Sequence, residues 1–312
     1  MAKSNKNLST AKKEKNDEFY TQLGDIEKEL VHYREHFKGK TILCNCNDAI
    51  HTNFAKYFSL NFEFLGLKKL VCTAYNPGKV CIYNGDKNGN GVPDIEEWKQ
   101  YELKENGDFR SDECVELLKE ADIVVTNPPF SLFREYVALL MKYEKKFVIL
   151  GNKNAITYKE IFPLIKDNQM WLGVTMQSGG RFIVEDEETT SKAAKCMNGV
   201  NTAFICGAHW FTNLDHKKRH EELDLYKHYN AEEYPKYDNY DAIEVSKTCD
   251  IPTDYDGVMG VPITFLDKYC PEQFEIIGLD RYVENNPKYG YRFTLKNKET
   301  YARILIKGKN EN

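Results

Sequence analysis

Apolar positions along this chain come in short runs between turn formers, and their spacing separates helices from strands. Helical spacing runs through residues 22–37 and again through 50–65, where Phe54, Tyr57, Phe58 and Leu65 fall on one side. Thr41 to Asp48 reads as a first strand and its turn, and Leu70 to Tyr75 as a second strand closing at Asn76-Pro77-Gly78. Val80 to Tyr83 is a further strand, and residues 112–120 and 131–143 are helices. Lys146 to Leu150 is a strand ending in the polar turn Gly151-Asn152-Lys153-Asn154. Thr157 to Lys166 is expected as a helix, Met170 to Val174 as a strand and Thr202 to Phe211 as one buried strand. Residues 175–200 form a long polar, glycine-containing segment, expected as a loop with a function of its own. Strands alternating with helices predict an α/β fold over the first two thirds of the chain.

The pattern centres on Asp122-Ile123-Val124-Val125-Thr126-Asn127-Pro128-Pro129-Phe130. Ile123 to Thr126 is β-branched throughout and too short for a helix. Pro128 and Pro129 stop the strand, because neither can donate to a ladder and Pro128 pushes Asn127 out of the helical region. Ligands of open α/β sheets bind beyond the carboxyl ends of strands, where this turn falls. A rigid Pro-Pro turn aims the Asn127 side-chain oxygen and the Pro128 carbonyl at one point. Two converging acceptors suit an exocyclic amine, and Phe130 offers a flat face for a base. An amine held so attacks an activated methyl group directly, with positioning and electrostatics as the protein's contribution. Asn-Pro-Pro-Phe looks like the catalytic tetrapeptide of amino-methyltransferases that use S-adenosylmethionine. DNA adenine, RNA guanine and protein glutamine enzymes share similar tetrapeptides, so the motif leaves the amine open.

Composition narrows the class. The chain has 312 residues, 41% hydrophobic and 13% aromatic, which are globular values. No apolar run is long enough to span a membrane, and no apolar region follows the lysine-rich start, so a cytoplasmic protein is expected. The nine cysteines lack a disulfide framework and are expected to be reduced thiols. A net charge of −5 argues against general stickiness toward nucleic acid, so any DNA-binding surface must be local. Residues 1–15, with Lys12, Lys13 and Lys15, are either a solvated tail or a basic arm on phosphates. Asp215-His216-Lys217-Lys218-Arg219-His220 is a second basic run. Eleven tyrosines lie between Tyr226 and Tyr301, densest around Tyr234, Tyr237, Asn239 and Tyr240. They read either as packing or as a recognition surface. His209, beside Trp210, reads as a core histidine.

Three stretches carry alternative readings. Phe19-Tyr20-Thr21 can be a staple and cap for the first helix. Asp108 can cap the helix at 112–120, or accept from an adenine amino group while Phe109 covers the ring. Asp86, Asn88, Asn90, Asp94 and Glu97, with Gly91 at position six, fit the twelve-residue calcium-loop spacing. A hairpin tip rich in turn formers explains the same residues.

Taken in order, these pieces resemble the EcoRI-type DNA adenine-N6 methyltransferases over nearly the whole length. The resemblance is carried by Asp17-Glu18-Phe19-Tyr20-Thr21, Tyr33 through Phe37, Cys44-Asn45-Cys46, Gly107 through Ser111, Ile123 through Arg134, Tyr234 through Ala242 and Gly257 through Phe265. It implies a seven-stranded Rossmann-like methyltransferase sheet with its last strand antiparallel, followed by a C-terminal target-recognition region. The division implied is a basic arm at 1–15, a catalytic domain at 16–212 with residues 79–106 inserted, and DNA recognition at 213–312. The resemblance assigns Phe19, Tyr20 and Thr21 to the methionine end of S-adenosylmethionine. It assigns Cys44, Asn45, Cys46 and Asp48 to the turn under that cofactor, Asp108 and Phe109 to its adenine end, and Asn127, Pro128, Pro129 and Phe130 to catalysis. Lys12, Lys13, Lys15, His216, Lys217, Lys218, Arg219, Tyr237 and Asn239 are the expected DNA contacts. The motif order is the gamma arrangement. The implied partner is double-stranded DNA, the implied state a monomer, and a restriction endonuclease of the same site is a possible functional companion. Two alternatives remain: an amino-methyltransferase acting on RNA or protein, and a DNA-binding protein with a decayed cofactor pocket. No acidic residue ends the second strand, and the usual glycine-rich loop after the first is absent.

Overall fold

The computed structural model describes residues 20–45, 49–176, 179–183, 194–197, 200–283 and 290–309. Of the expected site residues, Lys12, Lys13, Lys15, Phe19, Cys46 and Asp48 lie outside them. The chain divides into two compact units. One comprises the described residues up to Lys153 together with Gly173–Leu214, and the other comprises Asn154–Leu172 with the residues from Asp215 on.

The strands of the first unit are β1 (Tyr20–Thr21), β2 (Thr41–Asn45), β3 (Lys69–Ala74), β4 (Lys79–Tyr83), β5 (Lys99–Glu102), β6 (Ile123–Thr126) and β7 (Lys146–Asn152), then, past β8 (Trp171–Leu172) of the second unit, β9 (Gly179–Ile183), β10 (Ala194–Met197), β11 (Val200–Cys206) and β12 (Ala208–Thr212). Within the unit, seven of them lie side by side in the order β5-β4-β3-β2-β6-β7-β12. β3, β2, β6 and β7 are mutually parallel. β12 runs antiparallel to β7, and β4 and β5 form an antiparallel edge. The fold is therefore α/β around a large mixed sheet, and its β4–β5 edge is antiparallel where the expectation had only the last strand so. Leu43, Val124, Val125, Val148 and Ile149 are buried, which is what parallel strands covered on both faces require. Each such side chain contributes roughly 1.5–3 kcal/mol on burial.

The first helix starts at Leu23 with Gln22 as its N-cap, and the Gln22 side chain makes no capping bond, donating instead to the Arg181 carbonyl at 2.6 Å, so the cap expected of Thr21 is not made. Tyr20 and Thr21 instead pair with Ile183 and Phe182 of β9. The helix expected over 22–37 is broken into Leu23–Leu30, a 3₁₀ turn and Arg34–Phe37. The 50–65 helix is broken likewise, into Asn53–Leu60 and Phe62–Leu65, with Phe54, Tyr57, Phe58 and Leu65 all buried. Thr52 caps the former by accepting from the Ala55 amide. Ser111, not Asp108, caps the helix Asp112–Glu120 by accepting from the Cys114 amide. Gly151 and Asn152 belong to β7 and not to a turn. The strand expected at 170–174 shrinks to β8, and the helix at 157–166 to Phe162–Lys166.

The segment expected as a polar loop over 175–200 contains β9 and β10. With β1 and β11 these form a second, antiparallel sheet in the order β1-β9-β11-β10. The apolar run 202–211 is two strands, because Gly207 adopts φ +79° and turns the chain from one sheet to the other. Glu29, fully buried on the first helix, fastens the approach to this second sheet. Its carboxylate accepts from the amides of Val174 (2.9 Å) and Thr175 (2.7 Å), the Thr175 hydroxyl (2.6 Å) and the Tyr33 hydroxyl (2.7 Å). A buried carboxylate is tolerable only when hydrogen-bonded this fully. His209 is a core residue, wholly buried, with Nδ1 3.1 Å from the Trp210 carbonyl oxygen.

In the second unit, β13 (Ile243–Glu244), β14 (Met259–Pro262), β15 (Phe274–Leu279) and β18 (Arg303–Gly308) make a sheet ordered β13-β14-β18-β15. β16 (Thr294–Leu295) and β17 (Lys298–Glu299) form a separate hairpin. Among the described residues no helix is long and apolar enough to cross a membrane.

Candidate active site

Four motifs far apart in the chain meet at the carboxyl ends of β2 and β6. β6 is wholly buried, and Asn127 follows it half-buried at the sheet's edge. The Asn127 Nδ2 donates to the Thr21 hydroxyl at 3.3 Å, which fixes the amide's rotamer and makes its oxygen the acceptor end. Thr21 is itself immobilised: it is paired with Phe182, and its carbonyl accepts from the Asn53 side chain at 2.8 Å. Asn53 opens the helix that follows the first turn, so β1, that helix and the Pro-Pro turn are tied through one threonine.

Asn45, at the end of β2, plays a similar part. Its carbonyl accepts from the Thr126 hydroxyl, and its side-chain oxygen accepts from the Tyr136 hydroxyl at 2.9 Å. The Tyr136 ring meets the edge of Phe109 at a centroid distance of 5.0 Å. Cys44 is fully buried and fills the strand rather than the rim. Gly107 brings the Asp108-Phe109 stretch against the end of β3: a Cβ there would lie 2.1 Å from the Ala74 carbonyl oxygen, and its φ is +81°. The Asn76 amide donates to the Asn106 carbonyl at 2.8 Å across the same crossing.

Several expectations change in detail. Asp108 forms a bidentate pair with Arg110 (2.9 and 2.7 Å), and Arg110 reaches on to Glu135 at 2.8 Å. Hydrogen bonding by Arg110 holds the Asp108 carboxyl below its ordinary range, so it is an anion whose acceptor capacity is already partly used. Phe130 opens a 3₁₀ turn and is 8% exposed, a narrower face for a base than the tetrapeptide suggests. Pro128 is buried, and the Pro129 carbonyl accepts from the Leu132 amide at 3.0 Å. Reading the sequence missed Asn53, Tyr136 and Arg110. An Asn just after a helix cap, a Tyr one turn into the next helix and an Arg two residues from an Asp are faint signals without the fold.

At the Asp86–Glu97 hairpin tip, Asp86 accepts from the Gly89 and Gly91 amides, and Glu97 from those of Lys87 and Asp94. Asn88 and Asn90 both donate to Asp94. This is the bonding that turn formers provide, and no group of three acidic, His or Cys side chains among the described residues is arranged to hold a metal.

The expected DNA contacts of the second unit divide. His216 is buried, with Nε2 3.0 Å from the Leu172 carbonyl. Arg219 lies on the Trp171 ring at 4.0 Å and donates to Asn168 at 2.7 Å. Tyr237 is 5% exposed, and its hydroxyl donates to the buried Glu244 carboxylate, which Arg303 also holds. The Asn239 amide is taken up on both sides, donating to the Arg292 carbonyl and accepting from the Thr294 amide. The polar contacts described for these four lie within the unit. Lys217 stays exposed and Lys218 half-buried.

An amide oxygen held at a strand's carboxyl end beside an aromatic ring and neutral polar groups can accept hydrogen bonds from an amine. Comparison with known proteins gives the family. A sequence model of the family described as adenine-specific methyltransferase EcoRI matches residues 7–309. The chain is 48% identical to the Type II methyltransferase M.EcoRI of Escherichia coli, over 98% of this chain and 97% of that protein. It is 42% identical to the Type II methyltransferase M.MpnI of Mycoplasma pneumoniae, over 96% and 97%. No solved structure matches it. The chain belongs to the EcoRI family of adenine-specific methyltransferases.

Proposed function

We propose that this protein is a site-specific DNA methyltransferase that moves the methyl group of S-adenosylmethionine to N6 of an adenine flipped out of duplex DNA. The observation that carries the reading is the Thr21–Asn127 hydrogen bond, which presents the Asn127 oxygen at the end of a buried strand in a chain of this family. The residues fit the cofactor. Phe109, half-exposed on Tyr136, suits a purine face; Asn45, Asn127 and Thr21 are neutral polar groups suited to a sulfonium and its amino-acid end. When bound, the cofactor supplies an electrophilic methyl group.

The protein's part is positional. The flipped adenine costs a few kcal/mol to unstack, offset by contacts in the pocket. Asn127 Oδ1 and the Pro128 carbonyl accept hydrogen bonds from the two N6–H groups and direct the nitrogen's lone pair. A methyl group supplied by the bound cofactor would be received at that lone pair with departure of the thioether, and N6 would then release one proton to solvent. In this reading β2, β3, β6, β7 and β12 belong to a seven-stranded methyltransferase sheet, residues 16–212 are catalytic and 213–312 recognise the target. A monomer in the cytoplasm, with Lys12, Lys13 and Lys15 as a phosphate-binding arm and a nuclease of the same site as companion, fits this scheme. Methylation-aware sequencing of DNA from cells expressing the chain tests it. N6-methyladenine at one defined motif is expected; soluble protein with unmodified DNA and modified RNA refutes it.

A further inference from the structure

We infer that the β16–β17 hairpin, with Tyr291 and Tyr301 beside it, is the element of the second unit that enters a groove of duplex DNA. The inference rests on the reading of the chain as a DNA methyltransferase, and it relocates the contact surface expected at Tyr237 and Asn239.

The first support is the way the hairpin is held. It belongs to none of the larger sheets, yet its base is tightly fixed. Phe293, fully buried, is stacked by Tyr240 at 4.7 Å and packed by Tyr237 at 4.8 Å. Asn239 clamps Arg292 and Thr294, the Asp238 amide donates to the Thr294 carbonyl, and the Asp238 carboxylate accepts from the Asn297 amide at the tip. The Thr300 amide and hydroxyl both donate to the Phe293 carbonyl. The 237–240 segment is thus a platform for the ribbon. A two-stranded ribbon is marginal alone, so this support is what makes it rigid.

The second support is what the hairpin exposes. Lys296 and Asn297 form its two-residue turn with φ of 51° and 62°, the primed geometry that matches strand twist. Lys296, Asn297 and Lys298 are exposed, and Tyr301 and Tyr291 are 78% and 48% exposed. Residues 290–301 carry three cationic side chains against one carboxylate, in a chain whose net charge is −5. The major groove, about 12 Å wide, admits such a ribbon. Lysines then meet phosphates, the tip amide faces base edges, and tyrosines lie along the backbone or stack.

The test titrates the full chain against two labelled duplexes, one carrying the motif it methylates in cells and one unrelated, at several salt concentrations. The lysine pair is removed by Lys296→Asn and Lys298→Gln together, since Asn tolerates the left-handed turn position. Binding to both duplexes should weaken about tenfold or more at ~0.1 M salt, and the salt slope should fall by about two. Tyr301→Ala should weaken the motif duplex several-fold. Full affinity and an unchanged slope in the lysine variant would overturn the inference. If that variant no longer binds S-adenosylmethionine its fold is damaged, and Tyr301→Ala decides alone: unchanged affinity sinks the inference. Failure of the unsubstituted chain to methylate any duplex refutes the parent reading; normal methylation with binding indifferent to the hairpin refutes this one only.

Discussion

The Asn127–Phe130 turn of the first unit and the Tyr237–Tyr240 segment of the second are both compact, aromatic and polar, and both look like ligand contacts in the sequence. The fold treats them oppositely. Asn127 sits at the sheet's edge with its amide oriented by Thr21. Tyr237 is buried under the sheet on Glu244, and Asn239 has both ends of its amide taken up by neighbouring backbone. A recognisable motif thus identifies a place of importance, without saying whether its side chains touch the ligand or hold what does. Proline decides the first case, because it stops the ladder and forces the next polar groups outward. Tyrosine decides nothing in the second, since it packs and stacks equally well.

The comparison can be broken by substitutions that separate chemistry from support. The largest effect is expected at Asn127. Asn127→Ala should slow methyl transfer by about a thousandfold or more, about 4 kcal/mol of barrier, with cofactor affinity retained by calorimetry. Substitution at Glu244 should do the reverse. Glu244→Gln leaves Arg303, 8% exposed, without its counter-charge and should cost about 3 kcal/mol in urea unfolding, while turnover of the protein that remains folded is little changed. A transfer defect as deep as that of Asn127→Ala, in folded protein, would erase the distinction.

The second unit carries a pH effect of its own. Burial pushes the Asp280 carboxyl up to about 6, above its unfolded value. The protonated acid is therefore favoured in the fold. Its stabilising contribution is full below about pH 4 and is lost as pH rises through 6, with roughly 2–3 kcal/mol at stake. Asp280→Asn should remove this dependence, so the stability difference between variant and original should grow in the variant's favour from pH 5 to pH 8. An unchanged difference across that range would place the titration elsewhere.

The smallest effect sharpens the first half of the comparison. Thr21→Val keeps the shape of the residue and loses the acceptor for Asn127 Nδ2. Transfer should fall about tenfold, roughly 1.4 kcal/mol, with Thr21→Ser near the original rate. Equal rates in all three would mean that the hydroxyl does not orient the amide.

Much of the first unit was readable because its strands are buried on both faces and its turns are marked by Pro and Gly. β2, β3, β6 and the helices after them fall where periodicity puts them. The break at Gly207 was not readable, since 202–211 is one continuous apolar run and only the φ of +79° divides it between two sheets. β9 was hidden for the same kind of reason: polar strands in a small antiparallel sheet show little alternation. The capping role went to Ser111 and not Asp108, because Arg110 draws the Asp108 carboxylate away. In the candidate site, the Asn127–Phe130 turn stood out in the sequence through its prolines and aromatic residue. The ties that hold it, Thr21 to Asn53 and Asn45 to Tyr136, depend on contacts across 32 and 91 positions of sequence that no local pattern contains.

The central claim is that Asn127 positions an adenine amine. Its most direct measurement is the identity of the modified nucleoside after the purified chain has acted on duplex DNA with methyl-labelled S-adenosylmethionine. Digestion and chromatography should return the label in N6-methyladenine alone, and none from the Asn127→Ala variant. Label in N4-methylcytosine or only in RNA, or undiminished N6-methyladenine from Asn127→Ala, would contradict it.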